Sequence, residues 1–207
     1  MFFIMPMMDA STPDTTAKPR SDAARWDTRY NEEQLESFER PRPFLIEHAG
    51  LLPNQGLALD IAMGLGGNAG FLQERGLKVV GVDISIVALR KAKGRLPEVM
   101  AVQADLNDFW IPSRHFDVIL NFYYLLRDLW PQYRQALLPG GLLLIETLTQ
   151  EILQVNPQID PAFLLQPGEL RVAFSDLEVL TYREGWIDTD SRHPKAVASL
   201  VARLPTY

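Results

Sequence analysis

Apolar residues in this chain gather into short runs, and most of the runs end on a polar side chain. Gly56–Ile61, Lys78–Asp83, Val99–Ala104, Phe116–Asn121 and Leu142–Ile145 are continuous rather than alternating, and rich in Val, Ile and Leu. Continuous apolar runs of this length predict strands buried on both faces, which is the habit of a parallel sheet. The segments between them have helical character. Asn68–Arg75 is followed by Gly76 as a stop, and Ile86–Gly94 has Ser85 as its cap and Arg90, Lys91 and Lys93 outward. A helix over Asp128–Leu138 stops at Pro139-Gly140-Gly141. Upstream, Ala23–Phe38 is helix-compatible, with Trp26 and Tyr30 on one face, and Phe44–Leu51 is a short helix after Pro41 and Pro43. Leu177–Glu184 and Ala196–Arg203 are strand-like and close enough to form an antiparallel hairpin at the sheet edge. Glu151–Pro167, which holds three prolines, predicts a long ordered loop, and Gly168–Phe174 a short helix.

Composition narrows the class. The 207 residues suffice for one domain with a sizeable core, and 47% hydrophobic with 22% charged residues is ordinary for a globular chain. Met1–Met8 is apolar but short and lacks preceding basic residues, so it reads as a tail rather than a secretory signal. Residues 9–22, rich in Asp, Ser, Thr, Pro and Lys, read as a disordered lead-in. No cysteine is present, which removes thiol chemistry and fits a cytoplasmic location. The three histidines, His48, His115 and His193, have no ligand spacing, so no metal site is expected. A net charge of −6 argues against nucleic acid as a partner, and no apolar run reaches the roughly 20 residues of a membrane span.

The chemistry lies at the strand ends. In an open α/β sheet ligands bind at the carboxyl ends of the strands, where this chain places Asp60, Asp83, Asp105, Asn121 and Glu146. The loop after Asp60 is Ile-Ala-Met-Gly-Leu-Gly-Gly-Asn-Ala-Gly, small enough for backbone to approach a ligand closely. Gly64-Leu-Gly66-Gly-Asn68-Ala69 matches a dinucleotide fingerprint, with Asp83 near the distance expected of a ribose-binding acid. A nicotinamide-dependent oxidoreductase is therefore one reading. Asp60 opposes it, because a carboxylate beside a pyrophosphate in a partly desolvated pocket is repulsive by several kcal/mol on the order of a Coulomb estimate. A cationic, phosphate-free ligand reverses that sign.

The set Asp60-Ile-Ala62-Met-Gly64-Leu-Gly66, Asp83-Ile84-Ser85 and Asp105-Leu106 resembles, in order, the motifs of class I S-adenosylmethionine-dependent methyltransferases. Ala62 stands where that family usually has its first glycine. The resemblance implies a Rossmann-like three-layer α/β/α sandwich with a mostly parallel seven-stranded sheet and an antiparallel C-terminal hairpin. It implies S-adenosylmethionine as cofactor, with Asp60 near its ammonium, Asp83 on the ribose hydroxyls, and Asp105 with Leu106 at the adenine. Ile84 and Asn68 belong to the same set, and Asn121 resembles the position facing the methyl group. Trp26 and Tyr30, in Trp-Asp-Thr-Arg-Tyr, resemble a helix lying over the cofactor, and equally read as an aromatic pair anchoring it. Asn121-Phe-Tyr-Tyr-Leu, Glu146-Thr147 and Phe163–Leu170 resemble the tellurite-resistance-like subgroup of small methyltransferases.

The acceptor side is less defined. A small molecule is the expected acceptor, since no added recognition domain is seen; a non-catalytic cofactor-binding protein on the same fold is the remaining alternative. If the acceptor must lose a proton, Glu146, Tyr123 or Tyr124 are the candidate bases. Asn121–Tyr124 has Asn-x-x-Tyr spacing but lacks the two prolines of the Asn-Pro-Pro-Tyr motif of amino-group methyltransferases, so Tyr123 and Tyr124 read as walls of an acceptor pocket or as core. Arg127 is either a solvated helix-start residue or a partner for an anionic acceptor. The expected organisation is a tail over 1–22 and one domain over 23–207. That domain divides into lid helices (23–55), a cofactor core (56–147), and an acceptor-side loop with the hairpin (148–207). The oligomeric state is left open.

Overall fold

The computed structural model describes residues 21–31, 38–187 and 194–206. The expected lead-in, the end of the first helix and most of the hairpin connection lie outside these residues. Seven strands form one sheet: β1 (Leu57–Ile61), β2 (Lys78–Asp83), β3 (Met100–Gln103), β4 (Phe116–Phe122), β5 (Leu137–Leu148), β6 (Glu178–Ile187) and β7 (Lys195–Arg203). Their order is β3-β2-β1-β4-β5-β7-β6. β1 to β5 pair in parallel, and β7 inserts antiparallel between β5 and β6. Chain order reverses between β1 and β4, and a crevice opens there at the strand ends.

Among the described residues six α-helices accompany the sheet: α1 (Ser21–Asn31), α2 (Pro43–Glu47), α3 (Gly67–Glu74), α4 (Ile86–Arg95), α5 (Trp130–Ala136) and α6 (Glu169–Ala173). Strand alternation divides the core in two. Ala58, Val118, Leu120 and Leu144 pack with Phe44, Leu72 and Leu89 on one face, and Leu59, Ile61, Ile119 and Ile145 pack with Tyr133, Leu170 and Phe174 on the other. Each side is a continuous apolar layer, which is why the strands read as unbroken hydrophobic runs.

The predicted boundaries of β1 to β4 hold within two residues. β5 is much longer than Leu142–Ile145, because Leu137 already pairs with Phe116 before a register shift carries Val118 to Leu142. The Pro139-Gly140-Gly141 turn, expected to follow a helix, is a bulge inside this strand. The predicted helix is correspondingly short, ending at Ala136. The Glu151–Pro167 loop contains two 3-10 turns, Gln150–Gln154 and Pro161–Phe163, and a bridge from Leu165 to Thr149.

Candidate active site

A cavity of about 540 Å³ lies at the carboxyl ends of β1, β2 and β4. Asp60, Ala62, Gly64, Asn68, Asp83, Ile84, Asp105 and Leu106 all line it, as do Trp26, Tyr30, Tyr123 and Tyr124. Gly66, Asn121 and Glu146 are not on its wall. Gly66, in the left-handed region at φ 79°, turns toward α4, where an added Cβ would meet Leu96 and Ala92.

Asp60, the next-to-last residue of β1, is almost fully buried, and one of its carboxylate oxygens, Oδ2, has no partner. The Ala69 backbone N–H at the start of α3 donates to this carboxylate. Burial first, then the nearby Asp83, pushes the Asp60 carboxyl up to about 8. A helix N-terminus is where a phosphate would be cradled. Here the chain's own carboxylate already holds a donor of that terminus, so the electrostatics invite a cation.

Asp83 is held by its neighbours. Its Oδ2 accepts from Gly64 N–H at 2.7 Å and its Oδ1 from Ser85 N–H at 2.8 Å, which ties the end of β2 to the glycine loop. Burial raises its pKa, and those backbone donors partly offset the rise. Each oxygen keeps a lone pair for a hydroxyl donor. Asp105 Oδ1 accepts from the backbone and side chain of Asn107, at 2.9 and 2.7 Å, as in an Asx turn. The three acids come from three adjacent parallel strands, and β1 and β2 are paired so that Asp60 lies opposite Gly81. Gly81 leaves room for Met63, whose sulfur would collide with any Cβ there.

Helix α1 crosses the mouth. Trp26 and Tyr30 stack with ring centroids 5.8 Å apart. The Ser85 hydroxyl donates to Asp27 at 2.5 Å while accepting from Ala88 N–H, and Lys91 donates to the Tyr30 carbonyl. These contacts hold α1 against the start of α4. The signal was in the sequence: Asp27 lies between the two aromatics, and Ser85 is the α4 cap.

Two corrections concern the acceptor half. Asn121 falls on the opposite face of the sheet, in register with Ile61 and Ile145, and its Nδ2 donates to the Tyr133 hydroxyl at 2.8 Å beneath α5. It does not face the cavity. Glu146 is buried and accepts from Tyr123 Oη at 3.0 Å, Ser199 Oγ at 2.7 Å and Arg183 at 3.3 Å. Its carboxylate is committed inward, away from any acceptor. Burial and Glu146 raise the Tyr123 pKa, while burial and then Asp105 push Tyr124 up to about 12. A tyrosinate base at neutral pH is therefore unfavourable. Arg127 starts a 3-10 turn and stays partly solvent-exposed, off the cavity wall, but it also pairs with Glu169 at 2.5 and 2.8 Å and donates to the carbonyls of Ala162 and Leu164. That pairing lowers the Glu169 pKa and pins the loop that brings Ile159 and Phe163 to the cavity.

Arg42 was missed. In Arg40-Pro41-Arg42-Pro43 the residue before Pro43 is held extended, at φ −68° and ψ 138°, and Pro43 starts α2. Arg42 N–H donates to Asn68 Oδ1 at 2.9 Å, and its guanidinium lies 4.8 Å from the Tyr123 ring centroid, on the cavity wall. The paired prolines are the signal that could have found it. They were read only as a helix break. Ala62 and Tyr123, immediately after β1 and β4, both adopt left-handed backbone, at φ 53° and 56°. Strain in non-glycine residues on both sides of the switch point is typical of functional turns.

Residues 58–141 match the family described as a methyltransferase domain. That stretch is similar to a methyltransferase domain. A trans-aconitate 2-methyltransferase from Azoarcus sp. (strain BH72) is 36% identical over 102 residues, which is 46% of this chain and 40% of that protein. The chain therefore aligns with less than half the length of this curated relative. An S-adenosylmethionine-dependent methyltransferase from Mesorhizobium loti superposes with TM-score 0.62 at 19% identity, covering 76% of this chain and 96% of that one. TehB from Haemophilus influenzae superposes with TM-score 0.66 at 18% identity, covering 88% and 66%. At these identities the structures establish the Rossmann-like methyltransferase fold. S-adenosylmethionine is the cofactor of the matched family, and nothing in these likenesses supports the dinucleotide reading.

Proposed function

We propose that this protein transfers a methyl group from S-adenosylmethionine to a small-molecule acceptor. The observation that carries the reading is Asp60, a buried carboxylate that lines the cavity, with one unpartnered oxygen and a helix N–H already bound to it. That donor set fits a ligand with an ammonium group and no phosphate. Asp60 would hold the ammonium, Asp83 the ribose hydroxyls, and Asp105 with Leu106 the adenine edge. Trp26 and Tyr30 would cover the ligand and exclude water, with Ala62, Gly64, Asn68 and Ile84 shaping the cradle. When bound, the cofactor supplies an electrophilic methyl on a sulfonium. Because its leaving group is already good, this chain's task is to orient and desolvate.

In this reading the helices before β1 act as the lid, the first five strands as the cofactor core, and the segment from residue 148 onward as the acceptor side. A small acceptor is supported by the trans-aconitate methyltransferase relative and by a cavity of about 540 Å³ that must hold both ligands. Among the described residues no helix is long and apolar enough to cross a membrane, and the lack of cysteine suits a reducing, cytoplasmic location. Asn121, Glu146, Tyr123 and Tyr124 act here as supports and walls. The test is transfer of labelled methyl from S-adenosylmethionine to a fractionated metabolite extract. Label in a low-molecular-mass fraction supports the reading; absence of transfer, together with absence of S-adenosylhomocysteine binding, ends it.

A further inference from the structure

The acceptor half of the cavity has two unusual properties. The first is an available cation. Arg25, Arg95, Arg127, Arg134, Arg183 and Arg203 each pair with a carboxylate. Arg42, half-buried on the cavity wall, has no carboxylate within 4 Å among the described residues; its guanidinium lies 4.8 Å from the Tyr123 ring centroid, and its charge also lowers the pKa of Asp60 and Tyr30. Lys195 lies against the same ring at 4.5 Å, and burial and Arg42 together lower its pKa, so the local field is positive. The second property is the lack of an unengaged base among the described residues: Asp22, also on the wall, is exposed and pairs with Arg25 at 3.1 Å, and Asp83 and Asp105 are held by Gly64, Ser85 and Asn107. Glu146 is turned inward onto Tyr123, Ser199 and Arg183, and neither described histidine lines the cavity. Asp60 faces the cavity, but it is the group that meets the cofactor's ammonium. Phe122, Leu125, Leu126, Ile159 and Phe163 form an apolar stretch of the wall, with Thr147 beside them.

We propose that the methyl acceptor is an organic carboxylate with an apolar body, its carboxylate anchored by Arg42 and its body against the Phe122–Leu126 turn and the Ile159–Phe163 loop. This rests on the methyltransferase reading above and narrows it. A carboxylate is ionised at neutral pH and needs no base. Its two in-plane oxygens match a guanidinium fork, which a thiolate cannot do. One carboxylate oxygen forms the new bond to the methyl carbon as the carbon–sulfur bond breaks. The bonding pair stays on sulfur, the sulfonium charge and the carboxylate charge cancel, and no proton moves. The product is a methyl ester.

The full chain is given labelled S-adenosylmethionine with cinnamate, cinnamamide, cinnamyl alcohol and cinnamyl thiol, and separately with a cell metabolite extract. Esters release labelled methanol in mild alkali, whereas ethers, thioethers and N-methyl groups do not. The expected result is alkali-labile label with carboxylates alone. Arg42→Gln is expected to raise the acceptor KM by about tenfold, on the scale of one charge-assisted bidentate pair, measured at saturating S-adenosylmethionine because the charge of Arg42 also reaches Asp60. As a readout separate from turnover, cinnamate binding to the S-adenosylhomocysteine-loaded protein weakens in Arg42→Gln and is partly restored in Arg42→Lys. Alkali-stable label, an unchanged KM or cinnamate affinity in Arg42→Gln, or no label from the extract while S-adenosylhomocysteine still binds, each overturns the proposal. Failure of the wild type to bind S-adenosylhomocysteine overturns the cofactor reading and the proposal with it.

Discussion

The ends of β1 to β3 and the ends of β4 and β5 meet at one cavity but are built differently. On the first side each polar side chain lies within two residues of the end of its own strand, and Asp60, Asp83 and Asp105 all reach the cavity. On the second side the strand-end residues turn away: Asn121 to Tyr133, and Glu146 to Ser199 and Arg183. The cavity there is lined by Arg42 from before β1 and by Ile159 and Phe163 from a loop after β5. The half proposed for the cofactor is made from local sequence, and the half proposed for the acceptor from distant segments. A fold can thus keep its donor site while its acceptor site changes through the loops.

Substitutions can sharpen or break this contrast. The largest effect is expected at Asp60. Asp60→Asn removes the buried charge that meets the ligand ammonium, which is worth about 3 kcal/mol, or roughly a hundredfold in S-adenosylhomocysteine affinity. Glu146→Gln should change that affinity by less than about threefold, because its carboxylate never reaches the cavity. Calorimetry on the pair decides it, and equal losses would erase the distinction between the halves. The same Asp60→Asn protein should be more stable than the wild type at pH 8 but not at pH 4. An acid with a raised folded-state pKa holds its proton natively after the unfolded chain has lost it. The stability it contributes therefore falls as pH rises from its ordinary value toward about 8. Thermal melts at the two pH values check the sign.

Asp83→Ala comes next, at about 2 kcal/mol of cofactor binding, because it also frees the Gly64 and Ser85 N–H groups that shape the loop. Arg127→Ala should act on the other half alone. With the Glu169 pair and two carbonyl contacts gone, hydrogen exchange should rise over residues 150–165. Acceptor KM should climb by about fivefold, equivalent to roughly 1 kcal/mol, with cofactor affinity unmoved. The smallest effect is expected at Ala62→Gly. Relief of the left-handed backbone is offset by the greater freedom of glycine when unfolded, so stability should change by less than about 1 kcal/mol.

The same contrast explains what could be read from the sequence. The parallel sheet and the three acids were legible because a buried strand declares itself by a local apolar run, and its last residue is placed by that strand. Asn121 was misread because the position after a run does not say which face it takes. One step in register puts it with Ile61 and Ile145 above α5 rather than with Asp60. Glu146 was misread for a different reason: its partners Ser199 and Arg183 lie on the hairpin strands, remote in sequence. Helix α5 and strand β5 were misjudged at Pro139-Gly140-Gly141, where pairing of Leu137 with Phe116 overrides the local stop signal. Arg42 left a trace in its flanking prolines, but its role depends on Tyr123, which only tertiary structure brings near.

The most direct test of the cofactor site is titration of the protein with S-adenosylhomocysteine by calorimetry at pH 7, in two buffers of different ionisation heat. With the Asp60 carboxyl pushed up to about 8, the unliganded site is mostly protonated, and an ammonium that favours the carboxylate must expel that proton. The account predicts release of up to about one proton per ligand, affinity that tightens as pH rises from 6 to 8, and loss of both effects in Asp60→Asn. Binding without proton release, or no binding at millimolar ligand, would contradict it.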